Sequence, residues 1–264
     1  MRHLSLWLEL RRWRRAGRTV RLWWRDDAAA GSSAALDRLL QVSRASGAPL
    51  TLAVLPTGDM RGLAAQLRRT ALVTAVQHGV DHRNRRSGPV AGEFPHDWSQ
   101  TQVEIALLNG RSQMQALPRA LAVFVPPWND AHPKLAAALV ACGYAGWSAH
   151  GALAADGGGP MRVDVHLDLL RWRGGARFRG RGRFLSGLVK ELRRRREAGL
   201  WTAPIGLLTH HLVHDGAAWR FLEAFLAWTT QRPEVAWAAL PDLIGPSDAW
   251  AVGGWVERSR TARF

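Results

Sequence analysis

Short apolar runs alternate along this chain with stretches whose apolar residues recur at helical spacing. The runs read as strands buried on both faces, and the periodic stretches as helices that cover them. The first predicted strand spans 20–25 and ends at Asp26-Asp27. A helix over 33–46 follows, with Leu36, Leu39, Leu40 and Ser43 on one side and Gly47 as its stop. Residues 49–55 form a second strand, 59–69 a helix, and 71–77 a third strand that runs into His78. Ser99-x-x-Gln102 is a capping-box pattern and opens a helix to about residue 117.

A fourth strand over 121–125 ends in Pro126-Pro127-Trp128, and a helix over 131–141 follows with Asp130 as its cap and Gly143 as its stop. Weaker strands are predicted at 144–149 and 161–167, with a flexible Gly157–Gly159 turn between them. A Gly/Arg-rich stretch over 171–183 precedes a basic helix over 185–198. A seventh strand at 203–209 ends in His210-His211, and a helix over 217–230 carries Phe221, Leu222, Phe225 and Trp228 on its apolar side. Strand–helix alternation over the whole length implies a parallel sheet closed or nearly closed on itself. The expectation is a single α/β domain over 20–245, a basic leader over 1–19 and a tail over 246–264.

Three polar pieces end three of these strands: Asp26-Asp27, His78-Gly-Val-Asp-His82 and His210-His211. Side chains at the same ends of neighbouring parallel strands converge on one cleft. Two imidazoles and a distant carboxylate make a catalytic metal site with open positions, which points to a metal-dependent hydrolase. Neighbouring residues in extended chain face opposite ways, so one Asp of the pair would bind the ion while the other faces the substrate water. His78 and His82 reach one ion if the chain turns helically between them. A histidine at the end of the seventh strand suits proton donation near neutrality.

Composition narrows the chemistry. Cys142 is the single cysteine among 264 residues, which excludes an intrachain disulfide and a cysteine-rich zinc site. The net charge is +15, and every basic residue except Lys134 and Lys190 is an arginine. That balance favours acidic partners such as an anionic membrane surface or a charged glycan, although arginine-rich coding contributes to it. The Arg/Gly/aromatic stretch RWRGGARFRGRGRF offers a second reading, a nucleic-acid or anionic-surface binder; a solvated loop and helix face explains it better, and nucleic acid is not the expected partner. No run has the length of a membrane span. The leader is interrupted by Glu9 and lacks a cleavage site, so a cytoplasmic protein, peripheral to a membrane at most, is expected.

The order of the pieces resembles the polysaccharide deacetylase family of carbohydrate esterases, also called the chitooligosaccharide deacetylase homology domain. That family carries Asp-Asp, His-x-x-x-His, Arg-x-Pro-aromatic, an Asp/Trp segment and Leu-x-His in turn. Here WRDDAA, HGVDH, VPPW, DLLRW and LTHH follow in the same order, between about residue 20 and residue 212. The resemblance implies a distorted (β/α)7-type barrel and a divalent metal, usually zinc, held by Asp27, His78 and His82. It implies Asp26 as general base and His210 as proton donor, with His211, in a place often held by Asp, an alternative donor. Pro127 and Trp128 would sit at the oxyanion, Trp172 and His211 at the substrate, and Asp168 and Arg171 behind them. Val125 stands where the family has its arginine, for which Arg171 or Arg25 would substitute. The implied activity is removal of an N- or O-acetyl group from a sugar or glycan, lipid-linked or anionic. The alternative within the family is a sugar-binding relative without turnover.

Overall fold

The computed structural model describes residues 3–151 and 159–245. Residues 157 and 158 of the expected glycine turn and the tail over 246–264 lie outside them. The chain forms α1 (Leu4–Arg15), β1 (Val20–Ala29), α2 (Ala34–Ser46), β2 (Leu50–Val54), α3 (Met60–Leu67), β3 (Val73–His78), α4 (Gln100–Met114), β4 (Ala120–Val125) and α5 (Leu135–Ala141). There follow β5 (Gly146–Trp147), β6 (Met161–Arg162), β7 (Leu167–Asp168), β8 (Leu170–Arg171), β9 (Arg177–Phe178), α6 (Arg181–Glu197), β10 (Ile205–Thr209), α7 (Gly216–Thr230), β11 (Val235–Trp237) and α8 (Leu240–Ile244).

Parallel strands pair in the order β6-β5-β4-β3-β2-β1-β10-β7. β6 and β7 are the two ends of one extended stretch. The N–H groups of Met161, Val163 and Val165 donate to carbonyls on the β5 side, and those of His166 and Leu169 donate to Gly206 and Leu208 of β10. One segment therefore joins both edges of the sheet and closes it, as a distorted (β/α)7 barrel requires. Trp23, Val76, Val123, Val125, Val163, Val165 and Leu208 fill the interior, with Leu240 and Ile244 of α8 packed on the same cluster. Gly206 makes this packing possible: a Cβ there would lie 2.6 Å from Trp23 Nε1. A filled barrel leaves the C-terminal strand ends as the place for a cleft.

The helices start and stop for the local reasons read from the sequence in α2 and α4. Ser33 caps α2 and left-handed Gly47 ends it, and Ser99 and Gln102 form the full capping box of α4. Two boundaries differ. α5 begins at Leu135, because Pro133 disfavours a helical residue before it and the Asp130 carboxylate is drawn away to Arg86. The Gly/Arg-rich stretch is a small antiparallel hairpin, β8–β9, turned by left-handed Gly174 and Gly175, and then the first turns of α6.

Residues 4–15 of the expected leader form α1, which packs one face against the rest of the chain. Leu6, Leu10 and Trp13 of α1 are buried, Trp13 meets Trp201 edge-on at 4.9 Å, and buried Glu9 pairs with Arg12 and Arg196. Trp13→Ala is therefore expected to cost about 3–5 kcal/mol in a denaturant titration; a loss below about 1 kcal/mol would show that α1 is dispensable. Among the described residues no helix is long and apolar enough to cross a membrane.

Candidate active site

β1 is extended through the Asp pair and irregular only beyond it, at Ala28 (φ 68°), so its side chains alternate through Asp26 and Asp27. Trp24 and Asp26 face the helix layer, where Trp24 Nε1 donates to Thr209 Oγ1 (2.8 Å) and Thr209 Oγ1 donates to Asp26 Oδ2 (2.6 Å). Asp26 is wholly buried there and bound to His211, whose Nδ1 lies 2.5 Å from Oδ1 and whose backbone N–H donates to Oδ2. Burial pushes the Asp26 carboxyl up, but His211, His214 and the Thr209 hydroxyl together outweigh it and hold the group below the usual carboxylate range.

Arg25 and Asp27 share the other face. The guanidinium clamps Asp27 through Nε–Oδ1 and Nη2–Oδ2, both 2.8 Å, and its remaining donors reach Asn129 Oδ1 (2.7 Å) and the oxygens of Ser148. Arg25 is fully buried. Burial raises the Asp27 carboxyl, yet Arg25, His78 and His210 together hold it below its ordinary value.

His78 ends β3 in a buried position, with Nδ1 3.1 Å from the Val125 carbonyl of β4. A carbonyl only accepts, so Nδ1 carries the proton and Nε2 keeps its lone pair. His82 is reached by a tight loop, not by a helical turn. Gly79 takes φ 60° and His82 φ 55°, and the Glu93 carboxylate accepts from the N–H groups of Val80, Asp81 and His82. Gly79 is required at this crossing: a Cβ would lie 2.5 Å from both Glu93 Oε2 and Pro127 Cγ. The His82 ring centroid is 5.1 Å from that of His78 and 4.4 Å from that of Trp128.

These groups line one cavity of about 440 Å³, together with Ala28, Asn129, His150, Asp168, Trp172, Leu208, His210, Leu212 and Val213. His210 meets Trp172 edge-on at 4.7 Å, and its buried Nδ1 has no hydrogen-bond partner among the described residues. Trp172 Nε1 donates to Asp168 Oδ2 (2.7 Å), which fixes that wall. Five non-glycine residues among those described have positive φ, and Ala28, His82, Trp128 and Asn129 of them line this cavity. Such strain persists where surrounding structure enforces it, and it clusters at functional sites.

The structure thus brings Asp27, His78, His82, His210, Trp128, Asp168 and Trp172 together, with Pro127 packed behind the His loop. Three expectations change. Asp26 and His211 pair outside the cavity, because the extended strand alternates through the Asp pair and turns Asp26 to the outer layer. Arg171 is exposed on β8, its guanidinium donating to the Arg173 carbonyl; Arg25 occupies the place opposite the carboxylate. Sequence reasoning missed Asn129, His150 and Glu93. His150 follows a weak strand and was open to the strand-end argument, whereas nothing in the sequence marked Glu93.

The donor set suits a divalent cation in kind: one carboxylate, two imidazoles, and a carbonyl fixing the tautomer of His78. As the side chains stand, no three His, Cys, Asp or Glu among the described residues are grouped to hold an ion. Both Asp27 oxygens face Arg25, so loading requires the carboxylate to share an oxygen.

A protein of Mycobacterium smegmatis described as a "putative polysaccharide deacetylase" superimposes with TM-score 0.64 at 15% identity, over 86% of this chain and 90% of that one. The fold is that of the polysaccharide deacetylases. The chitin deacetylase of Colletotrichum lindemuthianum shares it with TM-score 0.52 at 12% identity, over 89% of this chain and 92% of that one. A family 4 carbohydrate esterase pseudoenzyme of Bacillus anthracis shares the deacetylase fold too, with TM-score 0.54 at 12% identity, over 86% of this chain and 66% of its own. No protein-family profile and no curated protein sequence matches the chain.

Burial also sets a pH dependence. It pushes His78 and His214 down to about 4, against about 6.5 in an unfolded chain. As pH falls below 6.5 the unfolded chain takes up protons that the folded chain does not, so stability declines until the folded values near 4 are reached. The slope is about 1.4 kcal/mol per pH unit for each fully shifted histidine. Glu93, whose carboxyl burial pushes up, opposes this at the acid end. In chelator-treated protein the urea midpoint should fall between about pH 7 and pH 5, and less steeply in His214→Gln. A flat midpoint would contradict it.

Proposed function

We propose that the protein is a metal-dependent deacetylase that removes an N- or O-acetyl group from a sugar or glycan. The observation carrying this reading is the convergence of Asp27, His78, His82 and His210 on one cavity at the strand ends of a polysaccharide deacetylase fold. A divalent cation, zinc by expectation, held by Asp27, His78 and His82 would supply an activated water and polarise the acetyl carbonyl. Arg25 fixes the Asp27 carboxylate and keeps it ionised. The Val125 carbonyl holds His78 in the neutral tautomer with Nε2 available. Trp128 and Trp172, packed on His82 and His210, offer apolar walls for a sugar ring.

Proton movement falls to His210. It is the imidazole at the end of β10 that lines the cavity, and an imidazole there can take a proton from the attacking water and return it to the leaving nitrogen or oxygen. Asp26 acts as a positioning residue: by binding His211 and Thr209 it fixes the backbone on both sides of His210. His210→Ala should lower kcat about 100- to 10,000-fold with KM nearly unchanged; a change confined to KM would limit His210 to binding.

The direct test incubates zinc-supplemented protein with acetylated chito-oligosaccharides and acetylated xylan and measures released acetate. Release that a chelator abolishes and zinc restores is expected. The clamp of Arg25 on Asp27 favours a second reading, a sugar binder without turnover. Glycan binding with no acetate released from either substrate would select it.

A further inference from the structure

The outward face of α1 is unused by the cavity and unlike an ordinary solvated helix. Leu4, Trp7 and Leu8 are 72%, 51% and 40% exposed, and they adjoin one another on the face opposite the buried Leu6, Leu10 and Trp13. The same face continues into Arg11, Arg14 and Arg15, with Arg18 just beyond. Arg12 is held by Glu9, but no ion pair among the described residues engages these four. The Arg11 guanidinium lies 5.2 Å from the Trp7 ring centroid. Beside them runs a groove of about 520 Å³, lined by Trp7, Arg11, Arg14, Arg15 and Arg232, with Pro233 and one acid, Glu234.

We propose that this face docks the protein on an anionic lipid bilayer. Leu4, Trp7 and Leu8 would enter the headgroup–acyl boundary, and the groove arginines would take lipid phosphates and carboxylates. An apolar patch continuous with arginines matches a bilayer better than a nucleic acid, whose backbone offers nothing for two leucines. The +15 net charge draws the whole molecule to the same surface. Arg232, Pro233 and Glu234 precede β11, which pairs with Val20–Leu22 at the start of β1, while Asp27 lies near its end. The groove thus sits at the barrel end away from the cavity, and docking leaves the cavity mouth open. The inference stands on α1 and the groove beside it and does not depend on the deacetylase reading.

Co-sedimentation of the full chain with vesicles tests it, comparing phosphatidylcholine alone with a mixture holding about 30% phosphatidylserine at about 0.15 M salt. The chain should pellet with the anionic vesicles and bind neutral ones roughly tenfold less tightly or worse. Leu4→Ser/Trp7→Ser/Leu8→Ser and Arg11→Gln/Arg14→Gln/Arg15→Gln should each weaken binding roughly tenfold, with cooperative unfolding retained in both because all six side chains lie on the outward face of α1. If the apolar variant bound as the wild type does, attraction would be mere net charge and the proposal would fail. Failure to pellet with vesicles, combined with capture of single-stranded RNA, would assign the face to nucleic acid instead.

Discussion

Asp27→Asn, expressed with Arg25 intact, should lose at least about 1,000-fold in acetate release and its bound metal with it. The amide keeps the volume of the side chain and a hydrogen bond to Arg25 but leaves that buried guanidinium without its counter-charge, so an unfolding titration has to show the variant folded before its activity is read. What disappears is the negative charge that faces His78, His82 and His210 in the cavity. Without it His78 and His82 lose the β1 carboxylate and stand beside a buried guanidinium, an electrostatic setting hostile to a cation. Asp26→Asn is the informative comparison, since it removes a carboxylate of the same strand on the outer face. That change should act on the His211 and Thr209 contacts, reduce activity far less, and leave metal content intact. Equal losses in the two variants would contradict the assignment of the two faces.

Arg25→Met carries the second large effect, about 3–5 kcal/mol of stability in a guanidinium titration. Arg25 is completely buried and serves Asp27, Asn129 and Ser148 at once. Methionine fills much of the stem but leaves the Asp27 carboxylate buried without its partner, and that is the costly state. The double change Arg25→Met/Asp27→Leu removes both charges and should recover most of the loss, although it cannot recover activity. If the single variant were as stable as the wild type, the clamp would be ornamental. If the double variant were no better than the single, the loss would come from packing and from Asn129 and Ser148.

The strands that build the site were legible because each is an apolar run ended abruptly by charged or imidazole side chains: VRLWWRDD, ALVTAVQHGVDH and APIGLLTHH. The motif order carried the fold further than periodicity did, and the structural likeness bears that out. The phase of β1 was not legible. Arg25, Asp26 and Asp27 are all polar and all buried, so no pattern of in and out distinguished the Asp facing the cavity from the one facing the helices. β5, β6 and β7 are two residues each, too short for a period, and the closure of the barrel rests on them. The α1 leader read as a basic appendage because its arginines outnumber its buried Leu6, Leu10 and Trp13. Glu93 lies in a loop and acts through three backbone N–H groups, an interaction that leaves no trace in residue spacing.

Titration of chelator-stripped protein with zinc asks, without any substrate, whether Asp27, His78 and His82 share a divalent cation. Calorimetry should show about one equivalent bound by the wild type, and no binding at that site in His78→Gln/His82→Gln. Equal uptake by the two proteins, or none by the wild type, would contradict it.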